Sequence, residues 1–159
     1  MSNSEQSPTN VEVAKNHLIS NWVSIGNVTI HDEYKLKMPS DITKLPGVYR
    51  IIATKSGEVY IGEGRDLGKR LGDYQNAGFW PGHKANTNRF VQGWIHELLS
   101  EKGDSAEISI CTKAHILGAD GSAIDLDFRQ KYFRMLVESL TIFNHHKELK
   151  IVNKQFHKS

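Results

Sequence analysis

The stretch GVYRIIATKSGEVYIGEGRDLGKRL, residues 47–71, decides how this chain is read. Two runs rich in β-branched and aromatic residues, GVYRIIA and GEVYIG, flank a short KSG break. Such runs predict an antiparallel hairpin, with Gly57 free to take the positive φ of a tight turn. Gly62 and Gly64 interrupt the second run, and Asp66 follows as a candidate helix cap. The helix it opens has Leu67 and Leu71 as apolar positions and sets Arg70 one turn from Tyr74. Two tyrosines on paired strands, Tyr49 and Tyr60, are thus followed by an arginine ten residues beyond the second.

Outward from that stretch the pattern is mixed. Residues 1–9 read as disordered. VEVAKNHLISNWV spaces Val11, Ala14, Leu18 and Trp22 as one helix face and predicts a short amphipathic helix. NVTIHDEYKLKM predicts two short strands around HDE. A loop bracketed by Pro39 and Pro46 leads into the hairpin. Beyond it, AGFWPGHKAN reads as a loop. Phe90, Val91, Trp94, Ile95, Leu98 and Leu99 predict a helix closed by Gly103. AEISICT predicts a third strand, LGADGSAID a loop, and residues 126–143 a long helix. Its buried face would hold Phe133, Leu136, Val137, Leu140 and Phe143. Strands joined by a tight turn and by helices do not give strict βαβ alternation. The expectation is a small α+β domain, an antiparallel sheet of about three strands flanked by helices. It spans residues 46–159 and follows an N-terminal extension over 1–45.

The totals fit this reading. The chain has 159 residues, 38% of them hydrophobic, enough for one modest core. No apolar run reaches the ~18 residues that span a bilayer. One cysteine, Cys111, excludes an internal disulfide framework and suggests a reducing, cytoplasmic setting. Net charge is only +2, but residues 129–159 hold seven Lys or Arg against two acids. A basic C-terminal third would suit a polyanion, though on charge alone a solvated basic helix and tail is the commoner explanation.

The motifs GVY at 47–49 and YIG at 60–62 resemble those of the GIY-YIG nuclease family. Arg70 on the next helix and Tyr74 one turn later extend the likeness. So do Glu138, the acid in the late helix segment RMLVESL, and Asn153 beyond it in LKIVNK. The resemblance covers roughly residues 46–154. It implies a metal-dependent endonuclease that hydrolyses phosphodiester bonds in double-stranded DNA, with Tyr49, Tyr60, Arg70, Tyr74 and Glu138 as catalytic residues. Glu138 would hold one Mg2+, for which Mn2+ can substitute. Arg70 would stabilise the transition-state charge, and Tyr49 would take a proton from the attacking water once nearby cations lower its pKa. Gly62, Lys69, Lys84, Arg89 and Asn153 are the DNA-binding candidates. Small free-standing relatives include restriction enzymes and a phage endonuclease, and cutting two strands with one site per chain implies a homo-oligomer. A repair or recombination nuclease, an RNA substrate, or a catalytically weak DNA-binding module on the same fold are the alternatives.

Several residues stay open at this level. Glu63 beside YIG would repel a phosphate unless paired, and Arg65 is a candidate partner. Glu138 also stands four residues after Arg134, a spacing that suits an ordinary helix ion pair. His145 and His146 lack the companions of a zinc site. Phe79, Trp80, His83 and Lys84 either cover the core or meet DNA.

Overall fold

In the computed structural model the described residues are 10–13, 17–32, 35–75, 87–145 and 150–153. They form an α+β fold, a largely antiparallel sheet flanked by three helices. Its elements run in chain order β1 (Asn10–Val13), β2 (Leu18–Asn27), β3 (Thr29–Ile30), β4 (Leu36–Lys37), β5 (Gly47–Ala53), β6 (Glu58–Gly64), α1 (Leu67–Gly72), α2 (Thr87–Ser100), β7 (Ala106–Leu117), β8 (Ala123–Asp125), α3 (Lys131–His145) and β9 (Lys150–Ile151). The expected strands β7, β5 and β6 are the centre of the sheet, whose order is β1-β2-β7-β5-β6-β9 with β8 beside β7. Among the described residues it therefore has seven strands rather than three.

The hairpin forms as its sequence dictates. Gly47 pairs with Gly64 and Ile52 with Val59, and Gly57 turns at φ 79°. Strand β5 lies between β6 and β7 and is buried along most of its length. Because side chains alternate across a strand, its residues divide between two cores. Tyr49, Ile51 and Ala53 join Tyr60, Ile108, Leu67 and Leu71 of α1, and Val91, Trp94, Ile95 and Leu98 of α2. Val48 joins Val59, Ile61, Cys111, Leu18 and Trp22 on the other face, beneath Val137 and Ile142 of α3.

The segment read as a short helix from Val11 to Trp22 is strand β1 and the start of β2. The true period is two: Leu18, Ser20 and Trp22 are buried in turn. Ser20 hides the pattern because it is polar, and its hydroxyl is satisfied by accepting from Trp22 Nε1 at 3.0 Å. The loop over LGADGSAID contains β8, which pairs back on β7 through a turn at Gly121, φ 84°. The late helix begins at Lys131, later than residue 126, and of its predicted inner face Leu136 and Phe143 lie outside. Residues 1–9 lie outside the described residues, as does the loop carrying Phe79, Trp80, His83 and Lys84.

Candidate active site

Three phenols meet on the α1 and α2 side of the sheet. Tyr49 comes from β5, Tyr60 from β6 and Tyr74 from the turn after α1. The Tyr49 and Tyr74 hydroxyls hydrogen-bond to each other, and Tyr74 also bonds Tyr60. Ring centroids lie 6.2 to 6.5 Å apart, with Tyr74 edge-on to both neighbours. Tyr49 and Tyr74 are fully buried, while Tyr60 keeps 7% of its surface.

Arg70 reaches this cluster from α1. Asp66 caps that helix by accepting from Lys69 N at 2.9 Å, which fixes where Arg70 emerges. The guanidinium carbon stands 4.8 Å from the Tyr74 ring centroid. Nη1 donates to Asn88 Oδ1 of α2 at 2.6 Å and lies 3.9 Å from Asp73 Oδ2. A quarter of the side chain remains open to solvent. Gly64 makes room for it, since a Cβ there would come within 2.9 Å of Arg70 Cβ. Glu138 enters from the opposite side on α3, half-buried, and its charge acts on Tyr49, Tyr60 and Arg70. Groups scattered from position 49 to 138 thus face one region.

The electrostatics of this region are unusual. Burial pushes the Tyr49, Tyr60 and Tyr74 phenols up; the charge of a neighbouring phenol adds to this in each, and Arg70 opposes it. With Arg70 as the one cation beside it among the described residues, the Tyr49 phenol stands above its ordinary value. The cation is present, but exclusion of water outweighs it. Burial also lifts the Glu138 carboxyl to about 7, with Glu63 adding and Arg70 subtracting.

Glu63 itself is paired. Arg134 Nε donates to Glu63 Oε2 at 2.7 Å, and Arg134 Nη1 donates to Phe128 O at 2.8 Å. Both expected pairings, Arg65 with Glu63 and Arg134 with Glu138, give way to this buried bond between α3 and β6. The ion pair offsets part of the carboxylate's charge, although Glu63 still raises the Glu138 pKa.

Two DNA-binding candidates have structural work instead. Gly62 is buried, and a Cβ on it would overlap the Tyr49 ring and hydroxyl, so the space beside it belongs to a phenol and not to phosphate. Asn153 is 2% exposed. Its Oδ1 accepts from Ile61 N at 2.9 Å and its Nδ2 donates to Ile61 O at 2.6 Å. One amide side chain therefore continues the edge of β6 where β9, which pairs only Glu58 and Val59, stops. Lys69 and Arg89 are exposed on α1 and α2. Lys84 is outside the described residues.

The fit of a divalent ion can be judged from the donors. No cluster of three or more His, Cys, Asp or Glu suited to a metal occurs among the described residues. A single half-buried carboxyl with a raised pKa, whose charge acts on two phenols and is only partly offset by Arg70, is short of positive charge. That suits an ion such as Mg2+, which takes one or two carboxylates and fills its other positions with water and phosphate.

No helix among the described residues is long and apolar enough to cross a membrane. No protein-family model and no curated protein matches the chain. Among solved structures the chain is similar to a mutant of bacteriophage T4 EndoII, with a TM-score of 0.55 and 19% identity over 77% of this chain and 86% of that one. At that identity the likeness is one of architecture: the helix-flanked antiparallel sheet is an arrangement this chain shares with EndoII.

Proposed function

We propose that the chain is a metal-dependent endonuclease of the GIY-YIG type, acting on duplex DNA in a restriction or phage setting. The observation that carries this reading is the convergence of Tyr49, Tyr60, Tyr74, Arg70 and Glu138 on one region. The motif resemblance and the fold shared with EndoII point the same way. Glu138 would hold a single Mg2+ or Mn2+, and the ion, when bound, supplies positive charge to the scissile phosphate and its leaving oxygen.

The chain's own groups do the rest. Arg70 is permanently charged and partly open to solvent, so it meets a non-bridging phosphate oxygen as charge builds there. Tyr60, the least buried phenol, holds the attacking water. Tyr49 and Tyr74 orient Tyr60 through their hydroxyl chain, and the water's proton passes through the Tyr60 hydroxyl to solvent, which reaches that phenol alone of the three. A phenol with a raised pKa is a poor base, so this transfer depends on substrate and cation arriving together. The new P–O bond forms as the bond to the 3′ oxygen breaks, giving a 5′-phosphate and a 3′-hydroxyl. Pairing of Glu63 with Arg134 weakens the feature that favoured a binding-only module. Cutting both strands calls for a homo-oligomer or for successive nicks. Supercoiled plasmid incubated with Mg2+ tests the reading: wild type should nick and linearise it, and Arg70→Ala and Glu138→Ala should not. Intact plasmid with wild type, or equal cutting by all three proteins, refutes it.

A further inference from the structure

One side chain outside the catalytic set grips Arg70. Arg70 Nη1 donates to Asn88 Oδ1 at 2.6 Å, a bond from α1 to the first turn of α2. The core sets the place of that oxygen. Asn88, Val91 and Ile95 stand three and four residues apart and share one face of α2. Val91 and Ile95 are fully buried on it. Trp94 Nε1 donates to Glu58 Oε2 at 2.9 Å, which fastens the same helix to β6, the strand of Tyr60. The kind of partner matters as well as its place. A carboxylate at this position would pair with the guanidinium and cancel its charge, whereas an amide oxygen fixes the fork and leaves the charge whole. Asp73 Oδ2 stands farther off, at 3.9 Å, on a side chain 46% exposed, so solvent screens it.

We propose that Asn88 is a positioning residue, which sets the plane of the Arg70 fork toward the scissile phosphate and leaves its full positive charge to the transition state. This rests on the hydrolytic reading of the site. The grip is complete without a carboxylate. The Tyr74 ring lies 4.8 Å from the guanidinium carbon, and Gly64 holds the stem close, since a Cβ there would come within 2.9 Å of Arg70 Cβ. A guanidinium has five N–H donors, and the bond to Asn88 takes one of them. A fork released from Asn88 swings off the phosphate, and misplacement by about 1 Å costs on the order of 10²-fold in rate. An asparagine that served only the start of α2 would make the opposite demand. The first turn of that helix holds no acid, and a negative charge there stabilises a helix. Aspartate at position 88 therefore improves the helix and injures the site, a split that a merely structural role does not produce.

Plasmid cleavage by excess full-length protein with Mg2+ tests this, read beside plasmid affinity in EDTA and the melting temperature. Wild type should cut and Arg70→Ala should not. Asn88→Ala should cut about 10- to 100-fold more slowly, with affinity changed by less than about threefold. Asn88→Asp should slow cutting by about tenfold or more, while its melting temperature equals or exceeds that of wild type. If Asn88→Ala does not fold, the near-isosteric Asn88→Asp decides alone. Cutting by Asn88→Asp at the wild-type rate overturns the proposal and leaves the nuclease reading standing. Plasmid left intact by wild type refutes that reading, and this inference with it.

Discussion

The two faces of the central sheet bury polar groups in different ways. Beneath α3 several are satisfied by fixed, dissimilar partners, and the buried Arg50 guanidinium lies over the Trp22 ring at 4.2 Å. Arg134 bonds Glu63 and Phe128 O, Asn153 bonds both backbone groups of Ile61, and Trp22 bonds Ser20. On the α1 and α2 face the buried hydroxyls of Tyr49, Tyr60 and Tyr74 bond one another, and their pKa values rise. A polar group matched to a fixed partner stabilises the fold. A set matched only among themselves, with one partly exposed cation beside it, is arranged for something that arrives later.

Substitutions on the two faces should therefore separate activity from stability. The largest effect is expected at the phenol site. Arg70→Ala or Glu138→Ala should lower plasmid cleavage by about 10²-fold or more, as loss of a transition-state charge partner does, with little change in melting temperature. Under α3 the order reverses. Arg134→Leu strands the Glu63 carboxylate and should cost about 3 kcal/mol in urea unfolding. Combining it with Glu63→Leu should recover much of that loss, and failure to recover would mean the pair does more than neutralise itself. Asn153→Ala leaves Ile61 N and O without their side-chain partner and should cost about 2 kcal/mol, with faster hydrogen exchange at the Ile61 amide.

The smallest effect belongs to pH. The folded Glu138 carboxyl titrates at about 7 against an ordinary 4.5. Below the lower value it is protonated in both states and costs nothing. Between the two values the unfolded chain gives up its proton while the folded chain keeps it, so stability falls from about pH 4.5 to about pH 7 and levels off above. The loss should be about 1 to 2 kcal/mol in wild type, absent in Glu138→Gln, and reduced by Mg2+ at mildly alkaline pH. A flat wild-type profile would mean that Glu138 is better solvated than its position implies.

Much of the fold could be read from local chemistry. The hairpin, Gly57, the Asp66 cap and the helix closed by Gly103 follow from turn residues and periodicity, and all appear. What escaped depends on distant partners. Strand β2 was hidden by Ser20, a polar residue at a core position made tolerable by Trp22. Asn153 looked like a DNA contact because nothing local shows that Ile61, far back in the chain, needs its amide. The Arg134–Glu63 bond likewise joins residues 71 positions apart. Placing Tyr49, Tyr60 and Tyr74 together was within reach of spacing and motif, whereas the direction of their pKa shifts was not, since it is set by how completely the finished fold excludes water.

Position 62 and position 49 occupy one volume between them, because the Tyr49 ring fills the room that the absent side chain of Gly62 leaves. Neither can be enlarged alone. A chain with a bulkier residue at 62 would keep its packing only by trimming 49, and so would surrender the hydroxyl. Repair of the fold and retention of the phenol are mutually exclusive along that route, which ties the two sites into a single inherited choice.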